Sequence, residues 1–244
     1  MTSHEMQARS NSALNAAAGF DNWFGVPVCR MRVEDDHRLA TLANFLLEKE
    51  RLDPKRRNYS NGYSNTGWHS EQWSLGAAPA EMGWVTSYFH DSLRKCLDEL
   101  FSAELGNRTC LVEHIGVDLV FWSVVNKLGD FNLRHVHTSN ARDTWSCVLY
   151  VSTPPAGSGG EIRFFNPNLA HRCSIGTTLQ KLGGQGMYKK IEPATGDLIF
   201  FPGWLEHDVM PVTCDEKRVI VAANFGITRL DVRSPDTSTI RRII

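Results

Sequence analysis

Short apolar segments separated by turn signals occupy the second half of the chain. Seven segments of strand length follow Cys110, at 117–125, 133–138, 145–152, 161–165, 187–191, 197–201 and 218–225. The breaks between them carry glycine, proline and asparagine, as in Pro154-Pro155-Ala156-Gly157, and such combinations favour turns. Many short strands joined by turns are typical of a sandwich or barrel. We therefore predict a mainly β fold with flanking helices (α+β), built on a double-stranded β-helix, or jelly roll.

Helical patterns precede these strands. Residues 35–52 begin with two aspartates and then place leucines at helical spacing, which predicts a first helix. Residues 80–105 carry a longer apolar stripe that ends at Gly106-Asn107, which predicts a second helix. We predict that residues 1–244 form a single domain. Its expected parts are a loosely ordered N-terminus (1–19), a helical elaboration (20–109), the jelly-roll core (110–226) and a C-terminal tail (227–244).

The composition gives no support for a nucleic-acid or membrane partner. Lys and Arg number 26 against 27 Asp and Glu, so no excess of positive charge drives binding to nucleic acid or to a membrane surface. No apolar run approaches the length of a membrane span. Six cysteines without a C-x-x-C pair, and an N-terminus without a signal-peptide pattern, predict a reduced cytoplasmic protein. The oligomeric state stays open.

Three histidines predict a metal site. His135 and His137 are separated by one residue, so on a strand both rings lie on one face, roughly 7 Å apart along the chain, and can reach one divalent metal. His207 follows an apolar run that opens at Gly196-Asp197 and stops at Pro202-Gly203, which predicts a position at a strand exit. Imidazole binds zinc, iron, copper and nickel alike, so these residues leave the metal open.

The order of these residues carries a family resemblance. His207 comes 70 positions after His137 (207 minus 137), and Arg218 comes 11 positions later (218 minus 207). This order resembles the 2-oxoglutarate-dependent Fe(II) oxygenase superfamily, and more narrowly its branch with an H-x-H…H metal motif. The matching positions are Gly129, Asn132, His135 and His137; Ser146, Val148, Tyr150 and Val151; Pro193, Gly196, Asp197, Ile199, Phe201, Pro202, Trp204, Leu205, His207, Val209 and Pro211; Arg218 and Asn224; and upstream Ser64, Asn65, Gly67, Trp68 and Ser70.

The resemblance implies an oxygenase that uses Fe(II) as cofactor and 2-oxoglutarate and O2 as co-substrates. Fe(II) would bind His135, His137 and His207, with His137 standing where most members of the superfamily carry a carboxylate. Arg218 and Tyr150 would hold the distal carboxylate of 2-oxoglutarate. Hydroxylation of a small molecule or peptide is the expected reaction.

The residues that contact the substrate are expected near the mouth of the metal site. Loop composition and placement point to Asn126, Asn140 and Trp68, the last within the turn-rich segment 58–71.

Other readings of the same residues remain open. The chain also satisfies a cupin spacing, with Gly129 six residues before His135, although the glutamate that usually follows that H-x-H is missing. A cupin-like three-histidine enzyme would be a dioxygenase without 2-oxoglutarate, an isomerase or a zinc hydrolase. A third reading is a metal-stabilised jelly roll that only binds a ligand. In the simplest interpretation, Arg218 has no functional role and is a surface residue paired with Asp215 or Glu216.

Overall fold

Two antiparallel β-sheets and two helices form the fold in the computed structural model, which describes residues 19–23, 25–53, 66–104, 111–137, 145–168, 186–233 and 240–242. The strands are β1 (Gly19–Trp23), β2 (Val26–Arg32), β3 (Trp68–His69), β4 (Trp73–Ser74), β5 (Leu111–Asn126), β6 (Asn132–His135), β7 (Trp145–Ser152), β8 (Ile162–Phe165), β9 (Tyr188–Ile191), β10 (Asp197–Pro202), β11 (His207–Val209), β12 (Arg218–Arg233) and β13 (Ile240–Arg242). The helices are α1 (Asp36–Leu52) and α2 (Gly83–Glu104), and a 3-10 turn at Ala80–Met82 leads into α2.

The sheets differ in size. The large sheet has the order β1-β2-β10-β7-β12-β5-β3, with β13 on β12 and β4 on β5, and the small sheet has the order β6-β11-β8-β9. All the described strand pairs are antiparallel. Several neighbours, such as β2 with β10 and β6 with β11, are distant in sequence, as in a jelly roll, whereas β1 and β2 form a hairpin.

Strand β12 shows how the large sheet serves two cores. Successive side chains of a strand point to opposite faces. Val219, Val221 and Ala223 pack with the helices, whereas Ile220 and Ala222 pack with Phe164 of the small sheet. The helices therefore cover one face of the large sheet, and the small sheet covers the other. The space between the two sheets is where a site can form.

Helix α1 follows its sequence signals closely. Asp35 caps it, because its side chain accepts a hydrogen bond from the backbone N–H of Arg38 at 2.9 Å. Leu39, Leu42 and Leu46 are buried against the sheet. Burial of an apolar stripe of this kind is the main contribution of such a helix to stability, at about 25 cal/mol per Å².

The mainly β architecture with flanking helices is confirmed, and the element boundaries refine it. The segment 20–109 supplies β2, β3 and β4 as well as both helices, so it is not only a helical elaboration. Strand β12 continues to Arg233 and pairs with β13, so part of the predicted tail belongs to the large sheet. Most of the predicted N-terminal segment 1–19 lies outside the described residues.

One disulfide joins the large sheet to a helix. Cys29 of β2 and Cys96 of α2 are bonded, with Cα atoms 6.2 Å apart, a separation suited to such a bond. Cys147 is a free, buried thiol and Cys214 is free and half-buried, while Cys110 and Cys173 lie outside the described residues. The pairing of Cys29 with Cys96 was not expected from the cysteine pattern.

Within the part of the chain that the structure describes, neither helix combines the length and hydropathy that a membrane crossing requires.

Candidate metal centre

The three histidines come from one edge of the small sheet. His135 ends β6 and His207 begins β11, and the two are direct partners in the antiparallel ladder. His137 lies just beyond β6, and its backbone N–H donates to the Gly203 carbonyl at 2.7 Å. The turn between β10 and β11, closed by the Leu205 N–H on the Pro202 carbonyl, thus fixes both His137 and His207.

The imidazole rings converge on one point. One ring nitrogen from each of His135, His137 and His207 lies within 4.8 Å of the other two. The Nε2 atoms of His137 and His207 are 3.3 Å apart. Two ligands at right angles around a metal with bonds of about 2.1 Å are separated by about 3.0 Å. The cluster therefore fits one metal ion after small side-chain movements, and no carboxylate among the described residues belongs to it.

Backbone carbonyls orient two of the rings. The Nδ1 of His135 lies 2.6 Å from the Leu133 carbonyl oxygen, and the Nδ1 of His207 lies 2.8 Å from that of Leu205. A carbonyl only accepts hydrogen bonds, so each Nδ1 carries the proton and each Nε2 keeps its lone pair. Fixing the tautomer through the far ring nitrogen is the usual way in which proteins prepare a histidine for a metal.

Burial keeps these rings neutral. Desolvation, followed by the mutual repulsion between His137 and His135, lowers the pKa of His137 to about 3. Desolvation, then the charges of His135 and His137, also place the pKa of His207 well below its ordinary value. The pKa of His135 is lowered by burial as well. Neutral imidazole is the form that binds metals, so the cluster is ready for a cation at neutral pH.

Aromatic rings pack around His207. Its ring centroid lies 4.8 Å from that of Phe201 and 5.8 Å from that of Phe164.

A cavity of about 550 Å³ opens beside the cluster, between the two sheets. Its walls are formed by His69, Ser70, Glu71, Gln72, Trp122, Val124, Asn132, His135, His137, Val148, Ile162, His207, Val209, Arg218, Ile220 and Ala222. A volume of this size is typical of a small-molecule site.

Arg218 shares this cavity with the three histidines. It is the first residue of β12 and is only 2% exposed. The simplest interpretation of the sequence, an arginine at the surface, is therefore wrong. Its Nη1 donates to the side-chain oxygen of Asn126 at 2.8 Å. Its guanidinium carbon lies 5.0 Å from the ring centroid of Tyr150. Among the described residues, Arg218 therefore has a neutral amide and an aromatic ring as partners, and no carboxylate.

Tyr150 is fully buried beside this guanidinium. Its hydroxyl group makes no hydrogen bond of full geometry with a described residue, although the Arg218 guanidinium lies near enough to lower the pKa of Tyr150 against the larger effect of burial. Burial raises the pKa of Tyr150, so the phenol stays protonated and can donate. A buried phenol without a partner costs free energy unless a ligand completes it.

Two of the three residues expected to contact the substrate, Asn126 and Trp68, do not line this cavity. Asn126 is completely buried and contacts Arg218 rather than lining the cavity. Trp68 is 1% exposed, packs in the core on the helix side, and donates from Nε1 to the Asp53 carbonyl at 3.0 Å. Asn140 lies outside the described residues. The structure therefore does not bring Asn126 or Trp68 to the cavity wall.

His69 takes the position that was expected for Trp68. The two residues form strand β3, and neighbouring side chains on a strand point to opposite faces. Trp68 thus enters the helix-side core while His69 lines the cavity. Burial lowers the pKa of His69 to about 4. Strand alternation alone would have assigned the two residues to opposite faces, but it could not tell which face was which.

Comparisons with known proteins agree with this geometry. Residues 120–224 match the family described as "Putative 2OG-Fe(II) oxygenase", and no curated protein matches the chain. A solved prolyl-4-hydroxylase from Pseudomonas putida is 21% identical, with a TM-score of 0.55, over 84% of this chain and 95% of that one. This likeness supports a shared fold.

Two further solved structures are more distant. A prolyl hydroxylase from Trichoplax adhaerens, solved with a peptide of hypoxia inducible factor, is 14% identical with a TM-score of 0.45, over 93% of this chain and 94% of that one. AviO1 from Streptomyces viridochromogenes is 14% identical with a TM-score of 0.46, over 82% and 90% of the two chains.

Proposed function

We propose that the protein hydroxylates a C–H bond of a small-molecule or peptide substrate, because residues 120–224 match the family described as "Putative 2OG-Fe(II) oxygenase". Its cofactor is Fe(II) and its co-substrate is 2-oxoglutarate. When bound, this pair reacts with O2 so that 2-oxoglutarate becomes succinate and CO2 while the substrate gains an oxygen atom. The protein contributes binding, orientation and exclusion of water.

His135, His137 and His207 would hold the iron. The Nε2 lone pairs of His135 and His207 are kept free by the hydrogen bonds of each Nδ1 to a backbone carbonyl. Three ligands on one side of the ion leave positions open for a bidentate oxoacid and for O2. Three neutral imidazoles leave the full charge of Fe(II) uncompensated, so this site should bind an anionic co-ligand strongly.

The buried Arg218 is the observation that carries the proposal. A guanidinium that is buried without a carboxylate partner is unfavourable, since an isolated charge loses its solvation. A dicarboxylate that enters the cavity supplies the missing negative charge and accepts two parallel hydrogen bonds. The unpartnered hydroxyl of Tyr150, beside the same guanidinium, supplies a further donor. Histidines and guanidinium share one cavity, as a ligand that bridges them requires.

An anaerobic titration tests this function. Fe(II) and then 2-oxoglutarate are added to the metal-free protein, and the visible spectrum is followed. We expect a charge-transfer band that appears only when both are present, and 2-oxoglutarate-dependent release of succinate after O2 is admitted. A protein that binds Fe(II) but gives no band with 2-oxoglutarate would be a three-histidine enzyme of another kind.

We also propose a cytoplasmic location, where Fe(II) and 2-oxoglutarate are available. The absence of a C-x-x-C pair supports it, whereas the Cys29–Cys96 disulfide is more typical of an oxidising compartment. Alkylation of intact cells, followed by counting of the modified cysteines in the unfolded protein, decides between the two. Six alkylated cysteines would mean that Cys29 and Cys96 are reduced in the cell and would support the cytoplasm, whereas four would mean that their disulfide forms there and would contradict it.

A further inference from the structure

Asn126 connects Arg218, the residue proposed to bind 2-oxoglutarate, to the loop that precedes β3. It ends β5 and is the direct register partner of Arg218, which begins β12. Its side-chain oxygen accepts from Arg218 Nη1 at 2.8 Å, and its side-chain nitrogen donates to the Thr66 carbonyl at 3.2 Å. The amide is fully buried and both of its ends are used. Its orientation is thus defined, since only the oxygen can accept from a guanidinium.

Thr66 in turn is clamped to the strand that carries a metal ligand. Its N–H donates to the Phe131 carbonyl at 2.9 Å, and its hydroxyl accepts from the Phe131 N–H at 2.7 Å. Phe131 immediately precedes β6, which ends in His135. Hydrogen bonds therefore run from Arg218 through Asn126 and Thr66 to the backbone beside the metal ligands.

The close contact between the Thr66-Gly67 segment and the end of β5 requires a glycine at position 67. Gly67 has φ +100°, and a Cβ there would lie 2.7 Å from the side-chain nitrogen of Asn126 and 2.9 Å from the Val125 carbonyl oxygen. A side chain would push Asn126 away from Thr66. The glycine thus allows the loop to sit against the end of β5.

The neutral charge of the amide matters as much as its position. A carboxylate in the same place would pair with Arg218 and neutralise it before any ligand arrived. The nearby Asp130 carboxylate instead accepts from the Lys127 N–H at 2.9 Å. An asparagine holds the guanidinium by a hydrogen bond and leaves its positive charge for an anionic ligand.

We propose that Asn126 is a positioning residue that orients Arg218 toward the distal carboxylate of 2-oxoglutarate while leaving the charge of Arg218 unpaired. This inference rests on the proposed function. It assigns Asn126 to the co-substrate rather than to the primary substrate. It also gives the Thr66-Gly67 pair the task of holding Asn126 in place.

The experiment compares two ligands that differ only at the distal end. 2-Oxoglutarate and 2-oxopentanoate share the metal-chelating oxoacid, but 2-oxopentanoate has a methyl group in place of the distal carboxylate. Affinities for both are measured anaerobically by calorimetry on the Fe(II)-loaded protein. The variants are Asn126→Asp and Asn126→Ala, and the control is Asn44→Asp on the exposed face of α1, which makes the same charge change away from the cavity.

We expect Asn126→Asp to weaken 2-oxoglutarate binding roughly a hundredfold, because a buried carboxylate competes for the guanidinium. Asn126→Ala should weaken it about tenfold through loss of one charge-assisted hydrogen bond. Affinity for 2-oxopentanoate and for Fe(II) should stay within about threefold of the parent in both variants. Asn44→Asp should bind both oxoacids like the parent. If Asn126→Asp does not fold, the Ala variant carries the test alone.

Two results overturn the inference. Parent-like 2-oxoglutarate affinity in the folded Asn126 variants would mean that Arg218 needs no positioning. An equal loss for both oxoacids would mean that Asn126 only supports the fold. Failure of the proposed function has a different signature: 2-oxoglutarate would then bind no more tightly than 2-oxopentanoate to the parent, and Arg218→Met would change neither affinity.

Discussion

His135 and His207 are direct partners in the ladder between β6 and β11, and their ring centroids lie 4.3 Å apart. The backbone pairing of the small sheet therefore fixes two of the three imidazoles relative to each other. His137 lies two residues beyond the end of β6. Of the three, His137 is the one whose identity can change with the least effect on the sheet.

This position leads to a prediction for His137. Replacement by Asp should restore the commoner pattern of two histidines and one carboxylate and keep iron binding and 2-oxoglutarate turnover. His137→Ala should weaken iron binding more than about tenfold, that is, by more than about 1.4 kcal/mol. Iron affinity and succinate release are measured for both, with Val136→Ala, an exposed neighbour, as control. Equal behaviour of the Ala and Asp forms would show that His137 is not a ligand.

Arg218→Met should lose 2-oxoglutarate affinity and keep iron affinity. The loss should be about 2 to 4 kcal/mol, since a buried charge-assisted pair is removed. Arg218→Lys keeps the charge but cannot form two parallel hydrogen bonds, so an intermediate affinity is expected. Calorimetry on the iron-loaded variants gives these values. The assignment of Arg218 fails if Met at this position binds 2-oxoglutarate as tightly as the parent.

Gly67→Ala should reduce both stability and co-substrate affinity. The positive φ alone costs about 1 kcal/mol or more for a residue with a side chain, and the new Cβ would also meet Asn126 and the Val125 carbonyl. Gly76→Ala is the matched control, because Gly76 has φ +84° but open space around a Cβ. Denaturant unfolding and calorimetry should show a larger loss at Gly67, with 2-oxoglutarate affinity reduced there only. Equal effects at the two glycines would argue against the close approach.

The buried His69 predicts a pH dependence of stability in the metal-free protein. Its pKa is lowered to about 4, whereas a histidine of the unfolded chain titrates near about 6.5. Between these values the unfolded chain binds a proton that the folded protein does not, so falling pH favours unfolding. The contribution of neutral His69 to the free energy of unfolding is fully present above about pH 6.5. It falls by about 1.4 kcal/mol for each pH unit as the pH is lowered toward about 4.

His69→Gln removes a titrating group while keeping a polar side chain. The free energy of unfolding of this variant should therefore depend less on pH between about 6.5 and 4 than that of the parent. His37→Gln, on the exposed face of α1, serves as control. Denaturant unfolding at several pH values measures the slopes, and an unchanged slope for His69→Gln would mean that His69 binds its proton at the same pH in the folded and unfolded protein.

Local sequence signals predicted much of the fold and the metal cluster. The bounds of β7 follow from a short, largely apolar run, and the start of α1 follows from a helical apolar pattern and the Asp35 cap. These signals all depend on neighbours in sequence. His135 and His137 were assigned to one metal on the premise that both lie on a strand, whereas β6 ends at His135 and the Gly203 carbonyl positions His137 beyond it. The placement of His207 depended on the family order, since strand β11 has only three residues and gives no pattern of its own.

The features that the sequence did not reveal all depend on distant parts of the chain. Asn126 meets Arg218 from 92 positions away, and the direction of its side chain depends on the register between β5 and β12. Trp68 and His69 could be separated by alternation, but the face of the sheet that becomes the cavity depends on where the helices pack. The bond between Cys29 and Cys96 spans 67 positions and carries no local signal.

The positive charge of Arg218 is buried between the sheets and has no carboxylate partner in the described part of the chain, which has a consequence for the protein before any catalysis. A buried charge without a counter-ion costs free energy, and a small dicarboxylate that binds beside Arg218 would remove part of that cost. The melting temperature should therefore rise with the fraction of protein that has a dicarboxylate bound. Preparations of the protein should hold on to organic acids scavenged from the cell. The free energy of unfolding of the protein should therefore depend on the concentration of such organic acids around it.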